Sequence, residues 1–176
     1  MTVAPHTGQI VETAAAAAGD QARQYVWHSE DDTAAFARRL AAQPGLGHAF
    51  VTLHGDLGAG KTTLVRHLLR ALGVTGRIKS PTYAVVEPHE APGLAPNPMA
   101  WHFDFYRFDD PREWEDAGFR DIFAAPGLKM AEWPEKAAAL TPPADLAIHI
   151  EAINDTERQV TLRAHTPAGR SLLQGL

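Results

Sequence analysis

The 176-residue chain contains no cysteine. Disulfides, a disulfide-linked partner, thiolate nucleophiles, Cys-ligated zinc and iron–sulfur clusters are excluded together, and a cytoplasmic protein is the expectation. No apolar run approaches the roughly 18 residues that a membrane helix needs, so no membrane role is expected. No Lys or Arg precedes Arg23, so the N-terminal stretch has neither the positive region of a secretory signal nor the Arg-rich character of a transit peptide. Positive charge is in deficit overall. With 16 Lys+Arg against 21 Asp+Glu the formal net charge is −5, which argues against coating nucleic acid through bulk charge but not against a local basic patch. Large apolar side chains are scarcer than the 45% hydrophobic fraction suggests, because 31 residues are alanine. The remainder still suffices for one compact domain. There is no internal repeat.

What is present divides at about residue 24. Residues 1–24 carry few large apolar groups, with Pro5, Gly8, Gly19 and the run Ala14 to Ala18. Such a segment buries too little to offset its ordering entropy, so a tail is expected there and a single domain over 25–176. Tyr25-Val26-Trp27 reads as a short strand. Ser29 offers an N-cap followed by Glu30, Asp31 and Asp32, and Phe36 and Leu40 mark the apolar stripe of a helix. Ala49 to Leu53 reads as a buried strand, and Leu64, Val65, Leu68, Leu69 and Leu72 recur at helical spacing up to Gly73. Further strands are expected at Tyr83–Glu87, Ala100–Tyr106 and Leu128–Trp133, with a proline-rich loop from Pro88 to Pro98. A short helix opens at Pro111 and another spans Pro134–Leu140. Leu146–Ile153 and Val160–Ala164 flank Asn154-Asp155-Thr156, a hairpin signal. This alternation predicts a three-layer α/β fold of the P-loop type, with a mostly parallel sheet and an antiparallel C-terminal hairpin.

The sharpest motif is Gly55-Asp56-Leu57-Gly58-Ala59-Gly60-Lys61-Thr62, which fits G-x-x-x-x-G-K-[ST] at every fixed position between an apolar strand and an amphipathic helix. Glycines let the backbone curl until successive N–H groups converge on phosphate oxygens at the positive end of the helix. Lys61 then places an ammonium on the β/γ-phosphates, and the Thr62 hydroxyl is a hard oxygen suited to Mg²⁺.

Such a loop needs a carboxylate at a neighbouring strand end. Asp104 ends the run Ala100-Trp101-His102-Phe103 and is the leading metal-ligand candidate. Alternation puts His102 on the same face, a spacing that also admits zinc. Glu132 ends Leu128-Lys129-Met130-Ala131, and in a parallel sheet the carboxyl ends of the strands share one crevice. It would either orient an attacking water or complete the metal shell. Ser80-Pro81-Thr82 offers hydroxyls in a loop that can respond to a γ-phosphate.

Taken together, Gly55 to Thr63, Lys79-Ser-Pro-Thr-Tyr83, Val86-Glu-Pro88, His102-Phe-Asp-Phe-Tyr-Arg107, Asp110-Pro111 and Glu132-Trp-Pro-Glu135 resemble the bacterial TsaE (YjeE) family. The resemblance runs from about residue 25 onward, with the motifs in family order. It implies a small P-loop ATPase needed to make threonylcarbamoyladenosine at position 37 of tRNAs reading ANN codons. It implies ATP and Mg²⁺ as cofactors and a TsaB–TsaD-type complex as partner, with tRNA reached indirectly through that complex. Residue by residue, Leu57, Gly58, Ala59, Gly60, Lys61, Thr62 and Thr63 match the ATP-binding loop. Thr62 and Asp104 match the metal ligands, and Glu132 matches the acid at the metal and attacking water, with Lys61 and Glu132 the catalytic pair. Glu30 is the expected N-terminal residue near the nucleotide, Trp133 lies beside the site, and Tyr106, Arg107 and Trp114 are candidate partner contacts. Phe105 departs from the family, where Leu is usual.

Two other P-loop classes fit less well. A small-molecule kinase needs an arginine-bearing lid, and between Leu72 and Thr82 there are only Arg77 and Lys79. A GTPase needs N-K-x-D and D-x-x-G motifs, and neither is found. Hydrolysis that is slow without a partner suits a chain with no acceptor-pocket signature.

Overall fold

The computed structural model describes residues 21–81 and 84–176. A seven-stranded sheet carries helices on both faces. Its strands are β1 (Gln21–Trp27), β2 (Phe50–His54), β3 (Val86–Glu90), β4 (Met99–Asp104), β5 (Leu128–Glu132), β6 (Leu146–Ala152) and β7 (Arg158–Ala164). The spatial order is β1-β7-β6-β2-β5-β4-β3. The four inner strands β6, β2, β5 and β4 run parallel, and the outer strands pair antiparallel, β1 and β7 on one side and β3 on the other. The expected three-layer architecture with its C-terminal hairpin is thus the observed one.

Alternation along the inner strands builds two cores. On β2, Val51 and Leu53 face one cluster, which takes in Phe36 and Leu40 of helix α1 (Glu30–Ala41) and Leu64 and Leu68 of helix α2 (Lys61–Ala71). Phe50 faces the other, an aromatic cluster of Phe103, Phe105, Phe108, Trp114 and Phe119. This second core is covered by helices α3 (Pro111–Asp116) and α4 (Phe119–Ala124) and by a 3₁₀ turn at Pro134–Ala137. Helix α5 (Pro167–Gln174) returns to the first core through Leu172 and Leu173. In α1 the acids Glu30, Asp31 and Asp32 occupy the first turn and Arg38 and Arg39 the last, each sign at its favourable end of the helix dipole.

Several boundaries differ from the sequence expectation. Residues 1–20 of the expected tail lie outside the described residues, and Gln21–Gln24 belong to β1, held by backbone pairing with β7 rather than by apolar burial. The strand expected at Tyr83–Glu87 is Val86–Glu90, and Thr82 and Tyr83 lie outside the described residues. It runs through Pro88, which is tolerated because β3 is an edge strand with a free side for a residue lacking an N–H. The loop expected to begin at Pro88 therefore starts later and contains a 3₁₀ turn at Pro92–Leu94. Strand β4 stops at Asp104, whose Oδ1 accepts the Tyr106 N–H at 3.0 Å and turns the chain. The helices α4 and α5 were not expected. Both are short, and their apolar residues are too few to show a helical period in the sequence.

Candidate active site

Strand β2 delivers the chain to Gly55, where the phosphate loop begins. Gly55 has φ 149°, and a Cβ there would collide with the Ile150 carbonyl oxygen of β6, so only glycine lets loop and sheet approach this closely. Gly60 has φ 109° and is the N-cap of α2. From that point Leu64 N–H bonds the Gly60 carbonyl at 3.1 Å and the helix proceeds, its first N–H groups opening on the loop. At the crest, Leu57 is 80% exposed.

Lys61 is only 4% exposed. Its Nζ donates to the carbonyls of Gly55 and of Asp56 (3.1 Å) and lies 4.0 Å from the centroid of the Trp133 ring, a cation–π contact. Burial pushes the ammonium below the ordinary lysine range, opposed by Glu132 and three further carboxylates. Trp133 reaches this position with φ 53° and ψ 48°, a left-handed conformation unusual for a tryptophan, and Tyr106 packs on its ring at 5.0 Å.

The acids come next to the loop as the topology requires. Leu128 and Met130 of β5 belong to the core beneath α2, so Glu132, two residues on, projects to the α2 side. There its Oε1 accepts the Thr62 hydroxyl at 2.7 Å. Asp104 is the register partner of Glu132 on β4, so the two carboxyl-bearing residues sit side by side at adjacent strand ends. The structure thus brings Lys61, Thr62, Asp104, Glu132 and Trp133 together. Burial pushes the Asp104 carboxyl above the ordinary aspartate range, with the Glu132 charge adding to the effect and the Tyr106 hydrogen bond opposing it. For Glu132 burial pushes upward, but His102, Thr62 and Lys61 outweigh it and hold the carboxyl below the ordinary glutamate range.

This donor set fits Mg²⁺. It consists of one hydroxyl and two carboxylates, all hard oxygens, and a divalent cation relieves the repulsion between adjacent acids. Among the described residues no group of three or more His, Cys, Asp or Glu could hold a metal ion by itself.

Glu30 lies on the far side of the loop. It lines a cleft of about 450 Å³ together with Trp27, Thr33, Gly60, Thr63 and Arg158, and its Oε1 is 2.9 Å from His67 Nε2. The cleft opens directly beside the phosphate loop. Trp114 is a correction. It is only 5% exposed, stacked on Phe123 in the aromatic core, and is no surface contact, because the short helix bearing it turns inward over β4. Tyr106 is 48% exposed and remains available.

Two residues at the site escaped sequence reasoning in these roles. His102 has its Nε2 2.5 Å from Glu132 Oε2, rather than standing beside Asp104 as a zinc ligand. Arg158, the first residue of β7, donates from Nε to the Ala59 carbonyl at 2.8 Å and ties the C-terminal hairpin to the phosphate loop. The first was signalled by alternation with Asp104. The second lies 99 residues from its partner, and no local pattern announces it.

Comparison with known proteins bears on the same region. A family model described as threonylcarbamoyl adenosine biosynthesis protein TsaE matches residues 27–160. The tRNA threonylcarbamoyladenosine biosynthesis protein TsaE of Haemophilus influenzae is 42% identical over 123 residues, 70% of this chain and 75% of the relative. The Bacillus subtilis protein of the same name is 34% identical over 144 residues, 81% and 87% of the two chains. The crystal structure of Bacillus subtilis YdiB superposes with a TM-score of 0.67 over 97% of this chain and 95% of that one, at 23% identity, a likeness of fold.

Proposed function

This chain belongs to the TsaE family of tRNA threonylcarbamoyladenosine biosynthesis proteins, and from that premise we propose that it is a Mg²⁺-dependent ATPase acting in that modification. The observation that carries the proposal is the Thr62–Glu132 hydrogen bond at 2.7 Å, with Asp104 in register beside Glu132, at the mouth of a phosphate loop. In this reading the loop N–H groups from Gly58 to Thr63 cradle the phosphates, and Lys61 swings from its own loop's carbonyls to the β/γ-phosphates. Thr62 and Asp104 hold Mg²⁺, which when bound neutralises charge on the phosphates. Glu132 accepts the Thr62 hydroxyl and so orients that oxygen, and it is the acid assigned to the attacking water. Glu30 and Arg158 wall the nucleoside cleft.

The partner is a TsaB–TsaD-type complex, with tRNA engaged through it, and the product is threonylcarbamoyladenosine at position 37 of tRNAs reading ANN codons. A chain of net charge −5 is poorly suited to gripping tRNA alone, because phosphate contacts dominate such binding. The cytoplasm is the matching compartment, and among the described residues no helix is long and apolar enough to cross a membrane. ATP turnover measured with and without the purified complex is the direct test, together with complementation. Cells depleted of their own TsaE should regain the modified nucleoside in digested tRNA when given this chain with its cognate partners. A soluble protein that neither turns over ATP nor restores the nucleoside overturns the reading.

A further inference from the structure

Glu132 is 3% exposed and His102 only 1%. A carboxylate taken this far out of water must be paired or hydrogen-bonded, or it neutralises. Each of its oxygens has one partner: Oε1 accepts the Thr62 hydroxyl at 2.7 Å, and Oε2 lies 2.5 Å from His102 Nε2. An ionised carboxylate only accepts, so the proton in the second bond sits on the imidazole. The strands explain the placement. On parallel β4 and β5, Asp104 is level with Glu132 and His102 is level with Met130, one pleat deeper. Asp104 therefore stands at the rim of the crevice while His102 supports Glu132 from beneath. The other ring nitrogen, Nδ1, is buried and has no partner among the described residues. The ring therefore directs Nε2 at a single acceptor, the Glu132 carboxylate.

We propose that His102 is a positioning residue of the nucleotide site, holding Glu132 in the one orientation that also receives the Thr62 hydroxyl. The proposal rests on the ATPase reading above. The chain of contacts runs His102 to Glu132 to Thr62, so the direction of the Thr62 hydroxyl is set from one pleat below the strand ends. Without the histidine, the Glu132 carboxylate is free to rotate away, and the Thr62 hydroxyl loses its fixed acceptor. The nucleotide itself is not touched by His102, so affinity for ATP should survive its replacement.

Two substitutions separate positioning from packing. The side-chain nitrogen of glutamine can occupy the place of Nε2, whereas that of asparagine falls short of it. His102→Asn should lower turnover about 10- to 100-fold, the usual effect of losing a residue that orients a ligand. It should raise the Mg²⁺ concentration needed for half-maximal rate, with calorimetric affinity for ATP within about twofold of wild type. His102→Gln should recover most of the rate. Equal rates in His102→Asn and wild type overturn the proposal, as does an equal loss of rate and ATP affinity in both variants. Should either variant fail to fold, nitrogen NMR on the wild-type full chain, free of nucleotide and metal, decides. A slowly exchanging Nε2 proton on His102 that Glu132→Gln perturbs supports the assignment, and a bare Nε2 overturns it. A wild type that shows this proton yet never turns over ATP, even with the partner complex, refutes the ATPase reading instead.

Discussion

Lys61 illustrates how much one side chain can be engaged before any ligand arrives. Its ammonium is satisfied by the Gly55 and Asp56 carbonyls and the Trp133 face, so reaching a phosphate exchanges one set of partners for another. Lys61→Ala should weaken ATP·Mg binding at least tenfold, about 1.4 kcal/mol, because the cation at the β/γ-phosphates is gone. Calorimetry reads this directly, and unchanged affinity would remove Lys61 from the site. Glu132→Gln is a different experiment. The amide oxygen can still accept from Thr62, but its N–H₂ now meets the His102 N–H, so charge is lost while volume is kept. Turnover should fall by about a hundredfold or more with little change in ATP affinity. A Gln variant with full activity would reduce Glu132 to a structural acid.

At the scale of elements, the phosphate loop and the end of β2 are held from the β6–β7 side of the sheet. The hairpin of β6 and β7 reaches it through Arg158 and the Ala59 carbonyl, with Asn154 Oδ1 accepting the Thr156 and Glu157 N–H groups to shape the turn. Arg158→Ala should release that carbonyl and loosen one wall of the cleft beside the loop, and on the proposed reading it should weaken ATP binding about 5- to 10-fold. Titration of the variant against wild type checks it. The end of β2 contributes a second interaction. His54 stacks on His149 of β6 at 4.3 Å, and burial, reinforced by the His149 charge, lowers its pKa to about 4. The unfolded chain, with histidine near 6.5, binds more protons between those values, so stability is full above about pH 6.5 and declines as pH falls toward 4. The loss is at most about 3 kcal/mol. Denaturant titrations at pH 7 and pH 5 should show it, and His54→Gln should reduce the difference. A pH-independent midpoint would contradict the burial of His54.

Across the whole molecule, two cores of unlike character flank one sheet. The core beneath α1, α2 and α5 is mostly aliphatic, with Tyr25 and Trp27 packed on Phe36 at one end, whereas the other is built from aromatic rings stacked or edge-on at 4.9 to 6.3 Å. Phe105 is fully buried there, and its ring meets Phe103, Phe108 and Trp114. Trp114→Ala should therefore cost about 3–5 kcal/mol of folding stability. Tyr106→Ala, at a half-exposed position, should cost about 1 kcal/mol or less. Thermal melts of the pair compare them, and a Trp114 variant as stable as the Tyr106 variant would mean that the aromatic core is not as described.

The sequence alone was enough for the phosphate loop, the strand before it, the helix after it and the two acids at strand ends. These signals are local: glycine spacing, a run of apolar residues, a 3.6-residue period, a charge where a strand stops. The same reasoning anticipated the hairpin around Asn154 and the parallel centre of the sheet. It placed Trp114 at the surface and β3 three residues early, because an aromatic beside acids and a proline in a strand have no local pattern that reveals burial or an edge. Pairings between distant residues were decided by tertiary structure only. Strand order set β5 between β2 and β4, which put Glu132 against Thr62 on one side and His102 on the other. It also carried Arg158 across 99 residues to Ala59. Hydrogen bonds of this kind depend on the register of whole strands, and register is fixed by the burial of many side chains at once.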